Sequence, residues 1–122
     1  MPRALILESY APTRQAMASI LQREGWDVTL SQTSQEALGC LLKQAYDILL
    51  VDLEMSTGDG WRVLEQLVSD ATSMPILAMI DRDSHVFQTQ VDLSASVILL
   101  HKPLRRDCLL ASAATALQSR GL

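Results

Sequence analysis

The sequence predicts an α/β domain: one unit of five strand-then-helix repeats, with a doubly wound parallel sheet covered on both faces. Three observations predict it. Short, wholly apolar runs recur at Ala4–Leu7, Ile48–Val51, Ile76–Ile80 and Val97–Leu100. Runs so short and so apolar read as strands buried on both sides, the kind parallel sheets use. Between them lie segments with apolar residues at helical spacing, and the joining stretches are short, which implies right-handed crossovers within one sheet.

The elements follow in order. Ala4 to Leu7 is a strand ending in Glu8-Ser9. Pro12 suits the first turn of a helix with Ala16, Met17, Ile20 and Leu21 on one face, and Gly25 stops it. Trp26 to Leu30 alternates, with Val28 and Leu30 on one side, and reads as an outer strand. Thr33 or Ser34 can cap a helix carrying Ala37, Leu38, Leu41 and Leu42. Tyr46 leads into the third strand, Ile48 to Val51, which has an acid at each end and finishes in Asp52. The chain then turns through Ser56, Thr57, Gly58, Asp59 and Gly60 into a helix with Val63, Leu64, Leu67 and Val68 inward. Pro75 opens the fourth strand, Ile76 to Ile80. A polar break at Asp81–Ser84 precedes a weaker helical pattern with Val86, Phe87, Gln90, Val91 and Leu93. Val97 to Leu100 is the fifth strand, ended by His101-Lys102-Pro103. Arg105 to Ser119 is the last helix, with Leu109, Leu110, Ala113, Ala114 and Leu117 inward.

Composition bounds the function. The 122 residues read as one domain, 1–122, long enough for a core of its own. An apolar fraction of 48% and a charged fraction of 20% fit a globular chain. A net charge of −4 leaves no electrostatic footprint for nucleic acid or an anionic membrane. No apolar run approaches the roughly 20 residues of a membrane span, and the opening Met-Pro-Arg-Ala-Leu-Ile-Leu-Glu is too short for a signal peptide. Cys40 and Cys108 sit in helical patterns without metal or redox spacing and read as ordinary buried or half-buried thiols of a reducing cytoplasm. His85, His101 and the cluster Lys102, Arg105 and Arg106 read as solvated surface groups, and Trp61 as half-exposed helix packing. The sequence shows no Gly-rich phosphate loop, Ser-His-Asp set or Cys-His metal cluster.

Open α/β sheets bind ligands beyond the carboxyl ends of their strands. With strands one, three and four central, Glu8, Asp52 and Lys102 converge at one edge. On the residues alone Asp52 has two readings of equal weight: a site carboxylate, or an Asp that satisfies backbone donors in the turn.

Taken together, Asp52, Met55, the Gly58-Asp59-Gly60 turn, Pro75 before strand four and Lys102-Pro103 after strand five resemble a response-regulator receiver domain of two-component signalling, over the whole chain. The 50-residue spacing of Asp52 and Lys102 matches as well. The resemblance implies a flavodoxin-like, CheY-like fold with strand order 2-1-3-4-5. It implies that Asp52 is the phosphoacceptor, taking a phosphoryl group from a histidine kinase or phosphotransfer protein. Lys102 is then the cation beside it. Mg²⁺ would be held by Glu8, Asp52 and the backbone carbonyl of Glu54, with Ser9 a weak further ligand. Output or homodimer contacts would use the face built by the fourth helix, fifth strand and last helix, including Val91, Asp92, Leu99, Arg105 and Arg106. No turnover beyond phosphoryl acceptance and autodephosphorylation at Asp52 is implied.

Four positions depart from the family pattern. The acidic pair after strand one is Glu8-Ser9, so Mg²⁺ binding is expected to be weak or absent. Glu8 either reaches in to compensate or pairs with Lys102. The strand-four hydroxyl position is Ile80, and the strand-five aromatic position is Leu99, so switching is expected to be weakened. Ser56 replaces the usual Pro. Two further readings stand beside the first. One is a pseudo-receiver that works as a phosphorylation-independent interaction module, its Asp–Lys pair kept as a fold element. The other is a small flavodoxin-like enzyme, disfavoured because no catalytic set accompanies the acids.

Overall fold

The computed structural model describes residues 1–81 and 96–120. Five parallel strands form one sheet in the order β2-β1-β3-β4-β5. They are β1 (Arg3–Leu7), β2 (Asp27–Ser31), β3 (Ile48–Asp52), β4 (Ile76–Asp81) and β5 (Val97–Lys102). Helix α1 (Ala11–Arg23) follows β1, α2 (Ser34–Lys43) follows β2, α3 (Asp59–Ser69) follows β3, and α4 (Arg106–Arg120) follows β5. The helical pattern expected over Val86, Phe87, Gln90, Val91 and Leu93, and His85 beside it, lies outside the described residues.

The apolar strands are buried on both faces because successive side chains point to opposite sides. Leu5, Leu7, Leu49, Val51, Ile76, Ala78 and Ile80 pack under α2 and α3. Ala4, Ile6, Ile48, Leu50, Leu77, Met79 and Leu100 pack under α1 and α4. Trp26 is buried in this second layer, and Trp61 borders the first. Thr33 is the cap of α2: its hydroxyl accepts the Glu36 N–H at 3.1 Å.

Several inward assignments shift. In α1 the buried stripe is Arg14, Met17, Ala18 and Leu21, whereas Ala16 is exposed. The true stripe has i, i+3, i+4, i+7 spacing, but its first member is charged and so escapes a search for apolar residues. In α4 the stripe is Leu109, Ala113 and Ala116, which turns Ala114 outward. Leu42 is 89% exposed, because it sits in the last turn of α2 on a hollow of about 580 Å³ between α2 and α3. Leu30 is 40% exposed on the edge strand β2. Cys40 is half-buried as expected, but Cys108 is exposed, one position round the helix from the buried Leu109.

Candidate functional site

The sheet order puts β1, β3 and β4 at the centre and brings their carboxyl ends together. β1 runs straight into Glu8, which is 3% exposed, and β3 ends in Asp52, 5% exposed. The β4–β5 register sets Asp81 opposite Lys102. Lys102 Nζ reaches across to Asp52 Oδ1 at 2.9 Å. The Glu54 N–H donates to the same oxygen at 2.8 Å. The Glu8 carboxyl lies beside that of Asp52, near enough for each to shift the other's titration. Among the described residues Lys102 pairs with Asp52 and not with Glu8, so the expected Glu8–Lys102 ion pair is absent there, and Glu8 lies beside Asp52, an arrangement the sequence reading did not contain.

The electrostatics follow. Burial pushes the Glu8 carboxyl up to about 8, assisted by its hydrogen bond with Asp52 and the charge there; Lys102 and Arg14 oppose the shift. Burial also disfavours the charge on Asp52. The hydrogen bonds from Glu8, Lys102 and the Glu54 N–H outweigh it and hold Asp52 below its ordinary value of 3.8. At neutral pH the acid pair therefore keeps one proton, and its single negative charge is matched by Lys102. Asp52 is the deprotonated member of the pair.

The loop after β3 is built tightly. Gly58 caps α3 in the left-handed region at φ 77°, where a side chain is costly. Gly60 lies against the main chain of Asp52, and a Cβ there would collide with the Asp52 carbonyl oxygen. Asp59 accepts hydrogen bonds from Thr57 Oγ1 at 2.7 Å and Ser34 Oγ at 2.8 Å, and pairs with Arg62 at 3.1 Å. The Thr57 and Ser34 hydrogen bonds, more than Arg62, hold the Asp59 carboxyl below its ordinary range despite its burial. Asp59 thereby ties the loop to the start of α2.

All the donors near Asp52 that could hold a metal are oxygens, which suits Mg²⁺. Glu8 Oε2 is buried and has no hydrogen-bond partner among the described residues, so it is a carboxyl oxygen left open to a cation. Glu8 and Asp52 thus offer carboxyl oxygens to a cation, while among the described residues no group of three His, Cys, Asp or Glu side chains is placed to hold one. Ser9 is exposed, and its carbonyl is held by Arg14.

One residue, Arg14, and one side-chain contact, that of Glu54, escaped the sequence reading. Arg14, 8% exposed, donates from Nη1 to the carbonyls of Glu8 at 3.0 Å and Ser9 at 3.2 Å, fixing the turn that carries Glu8. Its place in the α1 stripe was the available signal. The Glu54 carboxylate reaches β4 and accepts the Asp81 N–H at 3.1 Å, a contact with no sequence signature. Ile80 is buried and Leu99 half-buried on the α3 face, so neither position offers the site a hydroxyl or a ring. Arg106 pairs with Glu24, the residue just past α1, at 3.6 Å, while Arg105 is exposed. Among the described residues no helix is long and apolar enough to cross a membrane.

Comparison with known proteins gives a consistent result. The family described as response regulator receiver domain matches residues 4–114. The response regulator MprA of Mycolicibacterium vanbaalenii is 32% identical over 82 residues, 67% of this chain and 36% of its own length. The chain spans little more than a third of the curated relatives it matches first. Among solved structures, a Francisella response-regulator receiver domain superposes with TM-score 0.85 at 21% identity, covering 98% of this chain and 99% of its own. The chemotaxis response regulator CheY4 of Vibrio cholerae superposes with TM-score 0.82 at 24% identity, over 96% and 99%. These two likenesses concern the fold.

Proposed function

This chain belongs to the response regulator receiver domain family of two-component systems, and we propose that within such a system it accepts a phosphoryl group on Asp52 from a histidine kinase or phosphotransfer protein. The observation that carries the reading is the Asp52 carboxylate at the carboxyl end of the central strand, with the Lys102 ammonium 2.9 Å from Oδ1. Asp52 Oδ attacks phosphorus; the O–P bond forms as the N–P bond to the donor imidazole breaks, and the imidazole keeps the electron pair and takes up a proton. Lys102 and the Glu54 N–H sit where negative charge collects on the transferred group. A cavity of about 440 Å³ between α1 and the exit of β5 is bordered by Glu8, Pro12, Met17, Ile20, Lys102 and Leu104, though not by Asp52. Catalysis by the chain stays limited to this acceptance and the later hydrolysis of the acyl phosphate.

Receiver domains bind Mg²⁺ at the acidic site. Here Glu8, Asp52 and the Glu54 carbonyl would hold it, and when bound it supplies positive charge to the phosphoryl oxygens. Binding is weak at neutral pH, because Ser9 brings no charge and Glu8 holds a proton. Ser9→Asp should tighten it. Output runs through a contact face that includes Leu99, Arg105 and Arg106, in a cytoplasmic setting, and a homodimer through that face is one form of it. Val91 and Asp92, expected on the same face, lie outside the described residues. With Ile80 and Leu99 at the two coupling positions, the contact changes only a few-fold on phosphorylation. The second reading, an interaction module that works without phosphorylation, rests on the same two residues.

The test is incubation with acetyl phosphate and Mg²⁺, followed by intact mass. Gain of one phosphoryl group in the natural chain and none in Asp52→Asn supports the first reading. No gain under any Mg²⁺ concentration leaves the second. Partner or dimer affinity with and without beryllofluoride measures the switch, and a tenfold or larger change, about 1.4 kcal/mol, would contradict weak coupling.

A further inference from the structure

Glu54 contributes more than a backbone carbonyl. Its carboxylate crosses from the end of β3 to the end of β4 and accepts the Asp81 N–H at 3.1 Å, while its own N–H donates to Asp52 Oδ1 at 2.8 Å. Three donors thus converge on the ends of β3, β4 and β5: the Glu54 N–H, the Asp81 N–H and the Lys102 ammonium. Each already rests on a carboxylate oxygen of the chain itself. Ile80, the residue before Asp81, is 2% exposed and supplies no hydroxyl, so the main-chain N–H of Asp81 is the donor this part of β4 presents.

Donors fixed on strand ends suit a tetrahedral oxyanion carried by Asp52, since they need no reorganisation to receive it. We propose that the Glu54 carboxylate is an internal stand-in for that oxyanion: it occupies the Asp81 N–H in the unmodified chain and must swing out before a phosphoryl oxygen takes its place. The proposal rests on Asp52 as phosphoryl acceptor. A phosphoryl group brings about −1.5 to −2 charges, and like charges cannot share one N–H donor. Glu54 is exposed, so its side chain has solvent to turn into, and among the described residues leaving breaks a single hydrogen bond. Glu54 is therefore a positioning residue that competes with the incoming anion. Apparent affinity falls by the fraction of molecules in which the donor is taken.

The experiment titrates the full chain with beryllofluoride in Mg²⁺, comparing the natural sequence with Glu54→Gln and Glu54→Ala. The Asp81 amide resonance is followed alongside the half-saturating concentration. Gln keeps the size and the acceptor but not the charge; Ala keeps neither. Both retain the backbone carbonyl and N–H. The expected order of half-saturation is natural chain weakest, Gln intermediate, Ala about tenfold tighter than the natural chain. The Asp81 amide should shift in ligand-free Glu54→Ala, and should shift in the natural chain when the ligand binds. Equal or weaker binding by Glu54→Ala, while both proteins saturate through Asp52, overturns the role of Glu54 and leaves the acceptor reading intact. An unmoved Asp81 amide in ligand-free Glu54→Ala also overturns it. If no form saturates, the acceptor reading falls and this role with it.

Discussion

Raising the pH on the metal-free protein should weaken it, through Glu8. The group is pushed up from 4.5 to about 8 in the folded chain. Between those values the folded state holds a proton that the unfolded state releases, so stability is complete below about pH 4.5 and is lost as pH rises toward 8. One proton sets the ceiling on the slope, about 1.4 kcal/mol per pH unit. Asp52 moves the other way, and its stabilising effect fades only as pH falls below 3.8, outside this window. Urea unfolding in EDTA at pH 5.5, 7 and 8 reads the slope directly. Glu8→Gln provides the reference: its amide can still donate to Asp52 but cannot titrate, and other groups cancel in the difference. Mg²⁺ should reverse the sign, because the ion replaces the proton. Its apparent affinity should rise about tenfold from pH 7 to pH 9, with close to one proton released per ion at pH 7. Parallel stability curves for the natural chain and Glu8→Gln, or Mg²⁺ affinity independent of pH, would refute the shared proton.

Three further predictions follow from the same contacts. Lys102→Met leaves Asp52, 8% exposed at its side chain, without its cation; with Lys102 itself 29% exposed and partly screened, the cost in urea unfolding should be about 1–3 kcal/mol, and less than about 0.5 would mean the pair is idle. Gly60→Ala drives a Cβ into the Asp52 carbonyl and should cost about 2 kcal/mol or more, with amide shifts concentrated at residues 52–60; an unchanged midpoint would show that the loop relaxes freely. Arg14→Ala removes the donor to the carbonyls of Glu8 and Ser9, and should cost about 1–3 kcal/mol. It should also weaken Mg²⁺ at pH 7, because Arg14 opposes the upward push on Glu8, and calorimetric titration would show no change if that influence is absent.

The strand-ending residues were legible because they depend on period and punctuation. Asp52 and Lys102 follow apolar runs that can only be buried strands, and parallel strands put all their carboxyl ends on one edge. The line from Glu8 to Asp52 to Lys102 needed no tertiary detail beyond strand order. Thr33 as a cap and Gly58 at the loop are local requirements, met by the residue types themselves. Arg14 was missed for a different reason: its burial is set by helix phase, which a search for apolar residues cannot see when the stripe includes a charge.

By itself, then, the sequence determined the five strands, their parallel sense and the residues that stand at their ends, because local periodicity dictates each of these. Only the tertiary structure decided who pairs with whom. Whether Glu8 reached into the site or paired with Lys102 depended on a few ångströms between neighbouring strand ends, and its place beside Asp52 sets which acid keeps a proton. The reach of the Glu54 carboxylate to the Asp81 N–H likewise joins residues 27 positions apart through the β3–β4 packing. Hydrogen bonds of this kind are fixed by side-chain direction and burial across strands, quantities that no spacing along one chain encodes.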